Sequence, residues 1–143
     1  MSYFPAKWKT YTPIVTLVGG AGNVVPQYST NIGRYCPIGN IVFVEIWLDG
    51  PTGNDGAGTG QINISLPITA GASMVSDFKP GGHFHNGAVE TQVFVQVDPS
   101  ATTGMVFQQT ATTQTGPATG ADQNSAATRT IRLSFCYEID GNA

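Results

Sequence analysis

Charge is what this sequence has least of. Only 10% of its 143 residues are Asp, Glu, Lys or Arg, against about 25% in an ordinary soluble domain. Thr, Ser, Asn, Gln and Gly fill the shortfall. With 41% hydrophobic residues and a formal net charge of −3, the chain lacks the high charge and low hydrophobicity of a disordered one. Six Lys and Arg against nine Asp and Glu build no basic field, so nucleic acid is not an expected partner. No stretch approaches the ~20 apolar residues of a membrane-spanning helix, and no membrane partner is expected. Met1 to Thr10 holds Pro5, Lys7, Lys9 and no apolar run, unlike a signal peptide.

Cysteine is almost missing as well. Cys36 and Cys136 stand alone, without the clustered Cys or His of a zinc site. Two free thiols are the default reading in the reducing compartment that the absent signal implies; one long-range disulfide is the alternative.

Helical periodicity is also absent, and period-two alternation recurs in its place. From Arg129 to Ile139, Ile131, Leu133, Phe135, Tyr137 and Ile139 share one face, while Thr130, Arg132, Ser134, Cys136 and Glu138 share the other. Ile41 to Leu48 is apolar on both faces: Val42, Val44, Ile46 and Leu48 on one, Ile41, Phe43 and Trp47 on the other, with Glu45 the exception. Such a strand belongs in the middle of a sheet covered on both sides. The second cover would be a terminal arm or another subunit, which makes Ile41, Phe43 and Trp47 candidate subunit-interface residues. Further strands are expected at Ile14–Val18, Arg34–Ile38, Gln61–Leu66, Ala88–Val97 and Thr103–Gln109. Gly and Pro punctuate them at Gly19-Gly20-Ala21-Gly22, in a Gly-rich loop from Asp49 to Gly60, at Pro80-Gly81-Gly82 and at Asp98-Pro99-Ser100. Many short strands between such turns predict an all-β sandwich or closed barrel. Residues 1–12 read as an N-terminal arm and 13–143 as one domain. Its stretch 110–128, rich in Thr, Ala and Gly, is expected to be a mobile or a binding loop.

Three stretches carry a resemblance. They are Trp8-Lys9-Thr10-Tyr11-Thr12-Pro13; Gly33-Arg34-Tyr35-Cys36-Pro37-Ile38-Gly39-Asn40-Ile41-Val42-Phe43-Val44; and Ile62-Asn63-Ile64-Ser65-Leu66-Pro67-Ile68-Thr69-Ala70. Their order resembles β-sandwich modules of tailed-bacteriophage virions, found in head decoration (cement) proteins and in tail-fibre or receptor-binding tips. The resemblance covers residues 8 to 70, with Ser134-Phe135-Cys136-Tyr137 as weaker support. It departs from the pattern at Cys36 and Pro37, where small polar residues are more usual. It implies an antiparallel jelly-roll-like β-sandwich, a homotrimer, and a place on the virion after synthesis in the host cytoplasm. Because the chain opens with its own Met and enters the domain at once, a cement protein bound to the major capsid protein is the expected function. Lys7, Trp8, Lys9 and Tyr11 are its candidate capsid anchors. A tip that recognises a host-surface receptor, glycan or protein, is the alternative.

Catalytic signatures are missing: no Gly-x-Ser-x-Gly, no phosphate loop and no dinucleotide fingerprint occur. Glu45, Glu90 and Glu138 fall on separate strands. The chain therefore reads as no enzyme and calls for no organic cofactor. Asp49, Asn54 and Asp55 lack the ordered spacing of a calcium loop. His83-Phe84-His85 is the one constellation with chemical promise, because residues i and i+2 of a strand share a face. Some trimeric phage fibres hold iron through a His-x-His motif of this kind, which makes His83 and His85 candidate metal ligands. The alternative is a surface or interface pair that binds nothing.

Overall fold

Alternation with period two decides the architecture, and the computed structural model, which describes residues 6–111 and 114–141, is all-β. Its strands are β1 (Lys9–Tyr11), β2 (Val15–Val18), β3 (Tyr28–Ile38), β4 (Ile41–Pro51), β5 (Gln61–Ser65), β6 (Asp77–Asn86), β7 (Val89–Val97), β8 (Thr103–Ala111), β9 (Gln114–Pro117) and β10 (Arg129–Glu138). A single 3-10 turn, Gly120–Gln123, is the one helical element among the described residues. None of their helices is long and apolar enough to cross a membrane.

Every pairing is antiparallel. The strands form one sheet in the order β1-β3-β4-β10-β6-β7-β8-β5-β2, with β9 added to β8. This sheet curls into a half-barrel. The linker between its first and last strands explains the curl. β1 and β2 lie at opposite edges, yet only Thr12, Pro13 and Ile14 separate them. That linker spans at most about 14 Å, whereas nine flat strands would hold their edges almost 40 Å apart at ~4.8 Å per neighbour. The edges are therefore drawn together. Ser65 N–H donates to Ile14 O at 2.9 Å, Ile14 N–H to Ser65 Oγ at 2.8 Å, and Asn31 Nδ2 to Pro13 O at 2.9 Å.

The concave side holds the core. Val42, Val44, Ile46 and Leu48 of β4 meet Ile131, Leu133, Phe135 and Tyr137 of β10, together with Val93, Val95 and Val97 of β7 and Ile62 and Ile64 of β5. Each such side chain contributes roughly 1.5–3 kcal/mol on burial. Tyr137 keeps its polar end satisfied by donating to Ile68 O at 2.6 Å, and burial pushes its phenol well above the ordinary range.

Several elements differ from the sequence reading. Lys9–Tyr11 is an edge strand paired with Arg34 and its neighbours, so the expected arm of residues 1–12 is part of the sheet from Lys9 onward; Met1 to Pro5 lie outside the described residues. Pro80-Gly81-Gly82 does not precede a strand. It lies inside β6, at a bulge where Pro80 pairs with Phe94 and Gly82 with Val93. Proline donates no ladder hydrogen bond, and a bulge absorbs the gap. Gly82 has φ 145° and leaves no room for a Cβ beside Arg132 O. Gly33 sits in mid-strand, where a Cβ would run into the Tyr11 ring. Gly39, by contrast, does turn the β3–β4 hairpin with φ 63°.

The stretch 110–128 is largely structured. It contains β9 and the 3-10 turn, while Thr112 and Thr113 lie outside the described residues. Asp122 fixes the turn by accepting from Thr119 N–H at 2.7 Å and from Gln108 Nε2 at 2.8 Å. Gln123, fully buried, accepts from the Tyr28 hydroxyl at 2.8 Å and donates to His85 O at 2.9 Å.

Candidate functional site

The register of the four strands β3, β4, β10 and β6 determines what the convex face displays. Partners directly opposite share a face. Ile32, Trp47, Arg132 and His83 therefore form one row across the four strands. Thr30, Asp49, Thr130 and His85 form the next. Arg34, Glu45 and Ser134 form a third on the other side of the Trp47 row, followed by Cys36, Phe43 and Cys136.

Among the polar residues of this face, several large apolar side chains stand uncovered in the described residues. Ile41, Phe43 and Trp47 are 36%, 43% and 44% exposed, although β4 lies well inside the sheet. The expected second cover of β4 is thus not supplied by residues 6–11. Trp8 reaches the same face, but its ring stacks on the Arg34 guanidinium at 4.8 Å and remains 46% exposed.

Charges on the face are paired with one another. Arg34 bonds to Glu45 across β3 and β4. Arg132 lies over the Trp47 ring at 5.1 Å and 3.9 Å from Asp49. Asp49 accepts from Thr130 Oγ1 at 2.7 Å and from Trp47 Nε1 at 3.3 Å. The Thr130 hydroxyl is the largest cause that holds the Asp49 carboxyl below its ordinary range, against a smaller opposing effect of burial. Between these pairs, Ser134 and the Gly81-Gly82 bulge present no large side chain. A hollow of about 570 Å³ opens there, walled by Trp47, Arg132, His83, Arg34 and Glu45.

His83 and His85 project together from β6, with ring centroids 5.5 Å apart. Glu90 of β7 stands directly opposite His85, its Oε1 3.9 Å from His85 Nε2. Sequence reasoning named both histidines and missed Glu90 as their neighbour. The signal was present at Gly87, a residue that suits the first position of a two-residue hairpin turn and has φ 64° there. A two-residue turn after Asn86 pairs it with Val89 and so pairs His85 with Glu90.

The four anchor candidates lie in different surroundings. Lys7 is exposed and Trp8 sits on the convex face. Lys9 Nζ lies 6.0 Å from the Tyr35 ring centroid. Tyr11 packs edge-on against Tyr35 at 5.9 Å and donates to Ser65 O at 3.3 Å, which makes it part of the barrel closure. In the loop after β4, Asp55 Oδ1 and the backbone carbonyl of Asn54 both accept from Arg129.

Cys36 and Cys136 are both free. They share a row with Phe43 between them. Two strand spacings of ~4.8 Å hold their backbones about 10 Å apart, beyond the ~7 Å limit for a disulfide.

No family model matches the chain, and neither a curated protein nor a solved structure shows significant similarity to it.

Proposed function

We propose that this chain is a structural protein of a tailed-phage particle, a cement protein that binds the major capsid protein as a homotrimer and carries out no catalytic step. The observation that carries this reading is the pair of uncovered aromatics on β4, where Phe43 and Trp47 stand exposed in the interior of the sheet, flanked by mutually paired charges. Exposed aromatics on a rigid sheet, ringed by satisfied polar groups, suit a protein interface. A standard interface takes about 800 Å² from each partner, close to a tenth of this chain's 7570 Å² surface.

The phage assignment is supported by the resemblance of residues 8–13, 33–44 and 62–70 to virion modules. Both halves of the curled sheet feed one core, the packing that a jelly-roll-like sandwich also has. The mechanism is mass action: a protein that binds only the assembled shell stabilises it by its binding free energy.

The test uses wild type and a Phe43→Ser/Trp47→Asp variant whose fold is checked by circular dichroism. Expected are a trimer by sedimentation and saturable binding to phage heads that lack the protein, both lost in the variant. Binding to host cells with none to heads overturns the cement reading in favour of the receptor-binding tip. Undiminished head binding by the variant removes the convex face from the assignment.

A further inference from the structure

Two histidines on one strand face become more informative once the fold supplies a carboxylate. The turn at Gly87-Ala88 sets Glu90 opposite His85, and His83 lies one side-chain step along the same face. One ligand atom from each of His83, His85 and Glu90 lies within 4.8 Å of the other two. We propose that these three residues form a binding site for a divalent transition-metal ion of the zinc class, with one coordination position left open.

Bond lengths set the adjustment required. At metal–ligand distances of ~2.0–2.1 Å, tetrahedral ligand atoms stand about 3.4 Å apart. The set must therefore contract by roughly 1.4 Å at its widest. Side-chain rotation has room to make that adjustment, because the His85 and Glu90 side chains are 38% and 61% exposed. The backbone beneath them is fixed: β6 is paired on both sides, and Gln123 Nε2 holds the His85 carbonyl.

Donor chemistry selects the ion. Two imidazole nitrogens and one carboxylate oxygen suit zinc, nickel, cobalt or copper, whereas calcium and magnesium favour oxygen ligands throughout. Arg132, the cation opposite His83, is drawn the other way, over Trp47 and toward Asp49 on β4. Three protein ligands leave a tetrahedral ion one place for water or for a donor from a neighbouring molecule. Coordination within one chain sets this site apart from a His-x-His motif gathered around a threefold axis, and it does not depend on the virion assignment.

The experiment takes the full chain, purified without a histidine tag and stripped with chelator, and titrates it calorimetrically with ZnCl2. One Zn²⁺ per chain is expected. His85→Ala and Glu90→Gln, both checked for fold by circular dichroism, each weaken binding by more than the roughly 10–100-fold that the loss of an outer-shell partner costs. Co²⁺ substitution gives visible absorption bands that vanish in the His83→Ala/His85→Ala double variant. No saturable binding, or binding that His85→Ala leaves unchanged, overturns the site. Loss with His85→Ala but not with Glu90→Gln overturns the three-ligand set.

Discussion

Arg129 Nη1 meets Asp55 Oδ1 at 2.6 Å, with the arginine side chain fully buried and the aspartate side chain 46% exposed. The same guanidinium donates to Gln27 O at 2.6 Å, Asn54 O at 2.8 Å and Ser125 O at 3.0 Å. One side chain at the start of β10 thus ties together three connections: the approach to β3, the loop after β4 and the segment that follows the 3-10 turn.

Breaking this tie is expected to destabilise the protein unequally from its two ends. Arg129→Ala strands several backbone carbonyls and leaves a cavity, and the loss expected for removing one member of a buried polar set is about 3–5 kcal/mol. Asp55→Asn keeps an acceptor at a half-exposed position and is expected to cost about 1 kcal/mol or less. Urea denaturation of both variants measures the difference. Equal losses would show that the ion pair, not the carbonyl set, is the stabilising element.

Asp49 and Thr130 give a prediction in pH. The Asp49 carboxyl is held below its ordinary value of 3.8, first by the Thr130 hydroxyl and then by Trp47, Gly50 and Arg132. A carboxyl with a lowered folded pKa contributes stability above its unfolded value and loses it as pH falls through the folded one. This contribution is therefore complete at neutral pH and disappears on strong acidification. Thr130→Val removes the largest cause. The Asp49 titration midpoint, followed by carboxyl NMR, is expected to rise toward 3.8, and the variant loses less stability between neutral and acid pH. An unmoved midpoint would assign the shift to the remaining partners.

The all-β class and most strands were legible because alternation is a local signal: the faces of β4 and β10 could be written down residue by residue. What stayed hidden depends on partners distant in sequence. The first half of β6 was missed because Pro80, Gly81 and Gly82 imitate a loop, and only its pairing with β7 and β10 shows that they form a bulge. Arg129 reads as the first polar residue of a strand, yet apart from Ser125 O its acceptors lie 74 to 102 residues away. Sheet order was likewise out of reach. A sandwich and a curled single sheet share the same alternation, and the three-residue link from β1 to β2 decides between them only once those strands are known to be edges. Of the site, the histidines and the β4 aromatics were visible as residue types; Glu90, Arg34, Arg132 and Asp49 joined them through register.

Gly33 and Tyr11 test the closure of the half-barrel. Gly33→Ala places a methyl group against the Tyr11 ring and Pro13 Cγ, and overpacking of this kind costs about 1–3 kcal/mol. In a Tyr11→Ala background the ring is gone, so the same substitution is expected to cost distinctly less. A double-mutant cycle by thermal or urea denaturation reads the coupling. Additive losses would mean that β1 does not press on β3 at this point.

The two cysteines provide a prediction that needs no mutation. They face the same side of the sheet with Phe43 between them, too far apart to bridge, and their surroundings differ. Cys36 is 2% exposed. Cys136 is partly accessible, with Lys79 Nζ 3.8 Å from its sulfur. A thiol reagent applied to the native protein is expected to modify Cys136 rapidly and Cys36 only at the rate of local or global opening. Denaturation without reductant exposes both thiols, which mass spectrometry reads as a second adduct. A chain that yields no free thiol on denaturation carries a disulfide instead, and that result would require β3 and β10 to be neighbours, contrary to the strand order found here.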